Sequence, residues 1–219
     1  RFAWHPFFLT TSKQENAKEI FTKVFTYVLL ACSFVFLFFS LFIDDIVRLR
    51  IGSFSLLGEE FWEGTVVVPI IFLAYIFYAA YLNFIIGIYL EKKTKYLPLI
   101  TGAGILGNVI ALYALIPTFG LVGAAWARVI AYIIMATALY IVGQKLYPVR
   151  HEWGRLAKMA LIVAVLFFVG RSDSIMPSIA LKSLLFLVYP LILLLLQFFH
   201  KNELVAMGKI LRRGGRGAA

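Results

Sequence analysis

Cysteine is nearly absent from this sequence. Cys32 is the only one among 219 residues, so no disulfide can form within the chain. Charged residues are also scarce: they make up 15% of the chain, whereas soluble domains contain about a quarter. These two shortages exclude a disulfide-stapled domain and argue against a soluble globular one.

Patterns that mark catalytic and metal sites are missing as well. The chain has no Walker A pattern, no HExxH and no GxSxG nucleophile elbow, so it shows no sign of its own ATP hydrolysis. Its three histidines, His5, His151 and His200, are far apart, and no spacing suggests a metal site. We therefore expect no enzymatic activity, no cofactor and no bound metal.

One short pattern matches the dinucleotide-binding motif by its letters alone. Residues 102–107 read GAGILG, but a dinucleotide site needs a preceding strand and an acidic residue about 20 positions later. The region is instead apolar, and the nearby charge is Arg128. The pattern therefore indicates helix packing rather than nucleotide binding.

Apolar residues are what the chain has in abundance. They make up 62% of it, and the mean hydropathy is +0.91, as is typical of an integral membrane protein. Hydropathy predicts an all-α bundle of about six transmembrane helices within residues 27–199. The predicted spans are 27–47, 65–90, 97–116, 121–143, 155–170 and 178–199.

Both flanks of the transmembrane region are more polar. We expect residues 1–26 to hold the cytoplasmic end of a preceding helix and an interfacial helix, which the capping-box pattern at Ser12–Glu15 opens. Residues 200–219 are expected to form a basic cytoplasmic tail. Because the chain opens with Arg1 and has no signal-peptide pattern, we expect it to be part of a longer polypeptide.

The basic residues alternate between the loops. Four segments, at 1–26, 91–96, 144–158 and 200–219, hold 16 of the 21 Lys and Arg residues. By the positive-inside rule these segments are cytoplasmic, so both ends of the chain lie in the cytoplasm. Topology thereby explains the net charge of +10, and we expect no nucleic-acid partner. The basic residues left for the opposite side are Arg48, Arg50, Arg171 and Lys182.

The stretch from Gly102 to Arg128 predicts a membrane hairpin. Its turn is expected at Pro117–Gly120, where proline ends one helix and glycine allows the next to begin. Small residues recur four positions apart on both sides, which lets helix backbones approach closely in lipid. These small residues are Ala103, Gly107 and Ala111 before the turn and Gly123, Ala127 and Ala131 after it.

One charge, Arg128, lies inside the second helix of this hairpin. At 1.5 Å per residue it is about 10 Å below the outer edge of the membrane. Two interpretations are open. The side chain either extends to the outer surface or pairs with Asp44 or Asp45, or else it lines a polar cavity and attracts an anion.

Three further polar residues are candidates for a substrate pathway. Asn83 and Asn108 lie deep in predicted spans, where interhelical hydrogen bonding is the alternative role. Lys182 lies close to the outer edge, where a lysine often anchors a helix by extending toward the headgroups. Together with Arg128, these residues form the predicted site.

Several stretches of the chain resemble one transporter family. They are AWHPFF near the start, KKTKYLP before the third span, and above all GNVIALYALIPTFGLVGAAWA at 107–127. The pattern formed by Tyr147, Pro148, Glu152 and Trp153 is similar to a segment before the family's last two helices. These residues resemble the C-terminal half of polysaccharide biosynthesis flippases, within the multidrug/oligosaccharidyl-lipid/polysaccharide export superfamily.

The resemblance implies both an architecture and an activity. The parent would have 12 to 14 helices in two lobes around a central cavity, and this chain would be its C-terminal part. The family moves undecaprenyl-diphosphate-linked oligosaccharide across the bacterial inner membrane by alternating access. The implied partners are membrane lipid, the lipid-linked oligosaccharide and the missing N-terminal half of the same polypeptide.

Other functions remain open from the sequence. A multidrug or cation antiporter of the same superfamily would favour buried acidic residues, and only Asp44 and Asp45 lie near a span interior. A membrane-embedded glycan polymerase or ligase needs a catalytic cluster on an outer loop. The charged loop 48–64 fits that requirement, and it equally fits a solvated, charge-balanced loop. A structural membrane scaffold is the third alternative.

Overall fold

The structure, a computed structural model, describes residues 8, 10–51, 54–55, 58–172, 178–196 and 198. It divides into two compact units, 1–153 and 154–219, which are treated separately below. Its helices are α1 (Ala17–Val47), α2 (Val68–Leu90), α3 (Tyr96–Leu146), α4 (Trp153–Gly170) and α5 (Ile179–Leu195), with a 3₁₀ helix at Glu59–Val67 before α2.

A short hairpin follows α1. Strands β1 (Arg50–Ile51) and β2 (Phe54–Ser55) pair antiparallel, with Arg50 opposite Ser55 and Ile51 opposite Phe54. The other regular elements among the described residues are helices. The prediction of an α-helical membrane protein is confirmed at this level.

The predicted count of six spans is not reproduced. Four helical stretches among the described residues are long and apolar enough to cross a membrane: α1, Trp62–Leu90, α3 and α4. The third and fourth predicted spans correspond to the two arms of α3, a 51-residue helical stretch that is interrupted at Gly120. The sixth corresponds to α5, which has 17 residues and is shorter than a typical span of about 20. Hydropathy measures how long an apolar stretch is, and it does not show at which residue a helix begins or ends.

Helix α3 is broken at Gly120. At 1.5 Å per residue, 51 residues extend about 76 Å, more than twice the bilayer core of about 30 Å. Gly120 has φ 53° and ψ −126°, a conformation outside the helical region that glycine adopts readily because it has no Cβ. Pro117 lies one turn earlier, where its ring cannot accommodate a regular helix. The break thus falls inside the predicted turn.

The two arms of α3, residues 96–119 and 121–146, fold back on each other. A Cβ added at Gly123 would collide with the Leu115 carbonyl, one at Gly104 with Met135 and one at Gly107 with Ile134. Each pair lies at nearly equal separations on the two sides of Gly120. That is the register of an antiparallel helix hairpin, in which glycines make room for the opposite arm.

The buried small residues differ in part from the predicted row. Ala111, Ala127 and Ala131 are buried, as the row predicts, whereas Ala103 is exposed and Gly104 is buried in its place. The GAGILG pattern accordingly lies inside a helix, and Gly104 and Gly107 make room for the opposite arm. The packing explanation of this pattern is thereby supported.

The second arm of α3 also packs against α2. A Cβ at Gly143 would lie 3.3 Å from the Phe84 carbonyl oxygen, and one at Gly87 would lie 3.4 Å from the Gly143 carbonyl oxygen. Helix α1 covers α2 from another side, where Phe39 and Phe72 stack with ring centroids 4.6 Å apart. The contacts of Gly87 and Gly143 bring the last turns of α2 and α3 together.

The start of α1 differs from the prediction. Residues 12–16 form turns, the helix begins at Ala17, and its N-cap Asn16 makes no side-chain capping bond. The predicted capping box at Ser12–Glu15 is therefore wrong. Backbone N–H groups of Gln14 and Ala17 donate to carbonyls three residues earlier, so successive turns precede the helix. The predicted tail 200–219 lies outside the described residues.

The end of α1 is tied to the 3₁₀ helix. The Thr65 hydroxyl lies 2.6 Å from Asp44 Oδ1 and 2.8 Å from the Trp62 carbonyl oxygen, so its proton can be donated to either oxygen. The Arg48 guanidinium lies 5.5 Å from the centre of the Trp62 ring. Asp44, which the sequence offered as a partner for Arg128, thus accepts a hydrogen bond from Thr65.

Replacing Thr65 with valine is expected to lower the free energy of unfolding by about 1 to 2 kcal/mol. Valine keeps the shape but leaves a half-buried carboxylate without its hydroxyl donor. Unfolding in mixed detergent micelles measures the change. The exposed Thr94 offers a matched control, since Thr94→Val removes a hydroxyl from the solvent-facing loop. Equal stability of the two variants would contradict a role for the contact between Thr65 and Asp44.

Candidate functional site

Arg128 lies on the second arm of α3, eight residues after the break at Gly120. Its side chain is exposed, while its neighbours Ala127 and Val129 are almost completely buried. The guanidinium is therefore held outside the packed core of this unit. It is always charged and carries five N–H donors, so it is suited to bind phosphate or carboxylate oxygens.

A row of packed tyrosines begins next to Arg128. Tyr132 lies one turn later on the same arm, and the charge of Arg128 acts on its hydroxyl. Tyr75 and Tyr78 of α2 contact it, with ring centroids 6.4 and 5.1 Å from that of Tyr132. Tyr81 stacks on Tyr78 at 6.0 Å. We call Arg128, Tyr75, Tyr78, Tyr81 and Tyr132 the arginine–tyrosine surface.

The arginine–tyrosine surface runs from a buried end to an exposed end. Tyr81 is 8% exposed and Tyr75 is 45% exposed, with Tyr78 and Tyr132 between these extremes. Phenol rings combine an apolar face with a hydroxyl that donates and accepts hydrogen bonds. The surface therefore offers a cation together with faces on which a sugar ring can lie.

The other three predicted site residues lie in three different parts of the structure. Asn108 is half-buried on the first arm, where the hairpin register places it at the level of Tyr132. Asn83 is buried and lines a separate cavity, described next. Lys182 is half-buried on α5 and belongs to the second unit. Of the four predicted residues, Arg128 and Asn108 thus lie on the two arms of one hairpin.

A cavity of about 30 Å³ lies between the last turns of α2 and α3 and the segment that follows α3. This volume holds one or two water molecules. Asn83 contributes the buried polar group of α2: its Nδ2 donates to the Ala79 carbonyl at 2.8 Å, and its Oδ1 has no hydrogen-bond partner within the described part of the chain. The cavity wall is otherwise mainly aromatic, with Phe21, Phe25, Phe84, Tyr140, Tyr147 and His151.

His151 lies at the centre of these rings. Its centroid is 4.9 Å from Phe25, 5.2 Å from Phe84 and 5.8 Å from Tyr140, with the first two rings edge to face. Trp153 follows at 5.7 Å. Burial among these groups lowers the pKa of His151, against a smaller opposing effect of the Val149 backbone. At neutral pH the imidazole is therefore uncharged.

Segment 147–152 is attached to α1 by two hydroxyls. Thr22 Oγ1 lies 2.7 Å from the Arg150 carbonyl oxygen, and the fully buried Thr26 Oγ1 lies 2.9 Å from Glu152 Oε2. The Lys18 ammonium lies 5.0 Å from the centre of the Tyr147 ring. This non-helical segment is thus fixed by side chains from α1.

Sequence reasoning missed two groups of residues. The first group is the arginine–tyrosine surface, which the sequence could have indicated. Tyr75, Tyr78 and Tyr81 recur every three residues, as on one side of a helix, and Tyr132 lies one turn from Arg128. The partners of His151 come from four separate parts of the chain, and no local pattern joins them. Within the described ranges, no three His, Cys, Asp or Glu side chains gather into a metal site.

The arginine–tyrosine surface and the His151 cavity both lie in the first unit. The first carries an exposed permanent cation and the second a titratable group. Comparison of the chain with protein-family models, with curated proteins and with solved structures finds no match in any of the three.

Proposed function

We propose that the chain is the C-terminal half of a flippase that moves undecaprenyl-diphosphate-linked oligosaccharide across the bacterial inner membrane. The observation that supports this best is the exposed Arg128 on a helix apolar enough to span a membrane, one turn from Tyr132, which contacts two further tyrosines of α2. A lipid diphosphate needs a cation in a low-dielectric setting, and its sugars need flat, hydrogen-bonding faces. The arginine–tyrosine surface offers both.

The helix break supports the same proposal. The segment with the strongest family resemblance, residues 107–127, contains the break at Gly120 and the close packing of Gly123. A tight hairpin in lipid demands this combination of proline, glycine and small residues. The resemblance and the fold of that segment are therefore mutually consistent.

A six-crossing arrangement belongs to the proposal. The two arms of α3 have 24 and 26 residues by the ranges 96–119 and 121–146, enough to cross the bilayer separately. With α1, α2, α4 and α5 this would make six crossings, and the positive-inside rule supports cytoplasmic positions for both ends. The N-terminal half of the polypeptide would supply the second lobe and complete a 12–14-helix transporter.

A strain that lacks the gene tests the proposed function. Lipid-linked oligosaccharide is expected to accumulate on the cytoplasmic leaflet of the deletion strain, and restoring the complete gene is expected to redistribute it. The amount on each leaflet is measured with a membrane-impermeant glycan probe, outside intact spheroplasts and inside opened ones.

Two results would contradict a flippase. Normal distribution of the glycan in the deletion strain, together with sensitivity to toxic cations, would indicate the antiporter. Glycan that reaches the outer leaflet but stays as single repeat units would indicate a polymerase or ligase. Both outcomes are read from the same pair of strains.

A further inference from the structure

The segment between α3 and α4 has an unusual anchor. Gln144, in the last turn of α3, pairs its side-chain amide with the backbone of Val149: its Nε2 donates to the Val149 carbonyl at 2.6 Å, and its Oε1 accepts from the Val149 N–H at 3.2 Å. These two bonds fix which end of the amide is the donor. The amide orientation is therefore set by the backbone.

The same amide faces the imidazole. Gln144 Nε2 lies 3.2 Å from His151 Nδ1. Because the amide nitrogen can only donate, Nδ1 must accept, and the ring proton lies on Nε2. Adding a proton to Nδ1 would bring two donors face to face. It would also place a positive charge in a mainly apolar cavity, where desolvation is unfavourable.

We propose that His151 is a proton-binding site that controls the attachment of segment 147–152 to α1, α2 and the end of α3. With a neutral imidazole the segment is docked through Gln144, Thr22 and Thr26. A proton on His151 breaks the contact with Gln144 and releases the segment. The ligand of this site is the proton, with water entering the small cavity beside Asn83 as the segment leaves.

The sign of the pH dependence follows from the difference between the two states. Burial lowers the pKa of His151 in the docked segment, whereas a released histidine has its ordinary value of about 6.5. The docked state therefore binds fewer protons. Docking is therefore complete at pH values above the ordinary pKa of the released histidine. It is lost as the pH falls through the lowered pKa of the docked histidine.

Other titratable groups lie around the segment. Glu152 is hydrogen-bonded to Thr26, and Lys18 lies over the Tyr147 ring. Burial raises the pKa of Tyr147, with a contribution from Glu91, so this phenol stays protonated at neutral and acidic pH. The elements packed around His151 carry several titratable or charged groups near it. They are Tyr140 and Tyr147 at the end of α3, Arg150 and Glu152 in the segment, Lys18 in α1 and Glu91 after α2.

A spin label on the exposed side of the segment measures its attachment. Arg150→Cys, in a Cys32→Ser background, places the label on an exposed side chain while the backbone contact to Thr22 stays. The full chain is reconstituted in phospholipid nanodiscs, and spectra are recorded between about pH 8 and about pH 5, which brackets the ordinary histidine pKa. We expect an immobilised label at the upper pH and loss of the immobilised component at the lower one.

Variants of His151 distinguish protonation of this residue from other effects of low pH. His151→Phe keeps a ring in the cluster and is expected to stay immobilised throughout. His151→Lys carries a charge at each pH and is expected to be mobile throughout. Replacing both His5 and His200 with glutamine should leave the response unchanged. A label placed instead at the exposed Lys93 should show no pH response.

Three results would overturn the proposal. The first is an identical spectrum of the parent protein at both pH limits. The second is a pH response that persists in His151→Phe. The third is a response abolished by Glu152→Gln, which would assign the proton to that carboxylate. None of these outcomes depends on whether the chain transports a lipid, so failure here leaves the proposed flippase function untouched.

Discussion

Alanine at Gly123 is expected to destabilise the protein by about 1 to 3 kcal/mol, and leucine at this position by more. The added Cβ would collide with the carbonyl carbon and oxygen of Leu115, which are backbone atoms of the opposite arm. A flexible side chain could rotate away, but a carbonyl inside a helix cannot. The arms must therefore separate or the hairpin must shift. Unfolding in mixed detergent micelles measures the loss.

Gly102 provides the matched control. It lies in the first arm of the same hairpin, and an added Cβ would meet nothing within 4 Å. Gly102→Ala is expected to raise stability by up to about 1 kcal/mol, because alanine is the better helix former. Unchanged stability of Gly123→Ala, or equal losses in both variants, would contradict the close packing of the two arms.

The hairpin shows what a single sequence can and cannot predict. Its turn was predictable because Pro117 and Gly120 act locally, through ring geometry and a positive φ. The packing row was predictable only in part. Spacing of four residues identifies a helix face, but the rotation of that face toward a neighbour depends on the other arm. The structure accordingly buries Gly104 where the sequence predicted Ala103.

The number of helices was harder to predict, for a related reason. Hydropathy responds to apolar length, so it separated 97–116 from 121–143 at the polar turn. In the structure these two spans correspond to the two arms of α3, which meet at the break at Gly120. At the other end of the chain, α5 stops at Leu195 although apolar residues continue. Helix ends depend on backbone geometry that composition does not report.

The His151 cavity was not predictable from spacing. Thr26 and Glu152, which hold the segment in place, are 126 positions apart in the chain. Isolated histidines near span ends carry no pattern, and the sequence supported only the statement that they do not form a metal site. Long-range pairs of this kind require the packing of three helices, which hydropathy does not specify. Functional residues at such places are found from the fold.

Removing the charge of Arg128 is expected to lower the rate of glycan transport about ten- to hundred-fold. A charge-assisted hydrogen bond contributes about 1.5 to 3 kcal/mol, and each 1.4 kcal/mol is a factor of ten. The complete protein with Arg128→Gln is compared with the parent at matched membrane levels, by the rate at which labelled lipid-linked oligosaccharide reaches the outer leaflet.

Two substitutions determine what this loss means. Arg128→Lys keeps the charge but not the planar fork that binds two phosphate oxygens at once, so its rate should lie between those of the parent and Arg128→Gln. Lys145→Ala removes an exposed charge from the far end of the same arm and should transport as the parent does. Full transport by Arg128→Gln would make Arg128 a membrane anchor. Equal loss in Lys145→Ala would assign the effect to overall charge, because a specific site for the diphosphate requires the cation beside Tyr132 and not at Lys145.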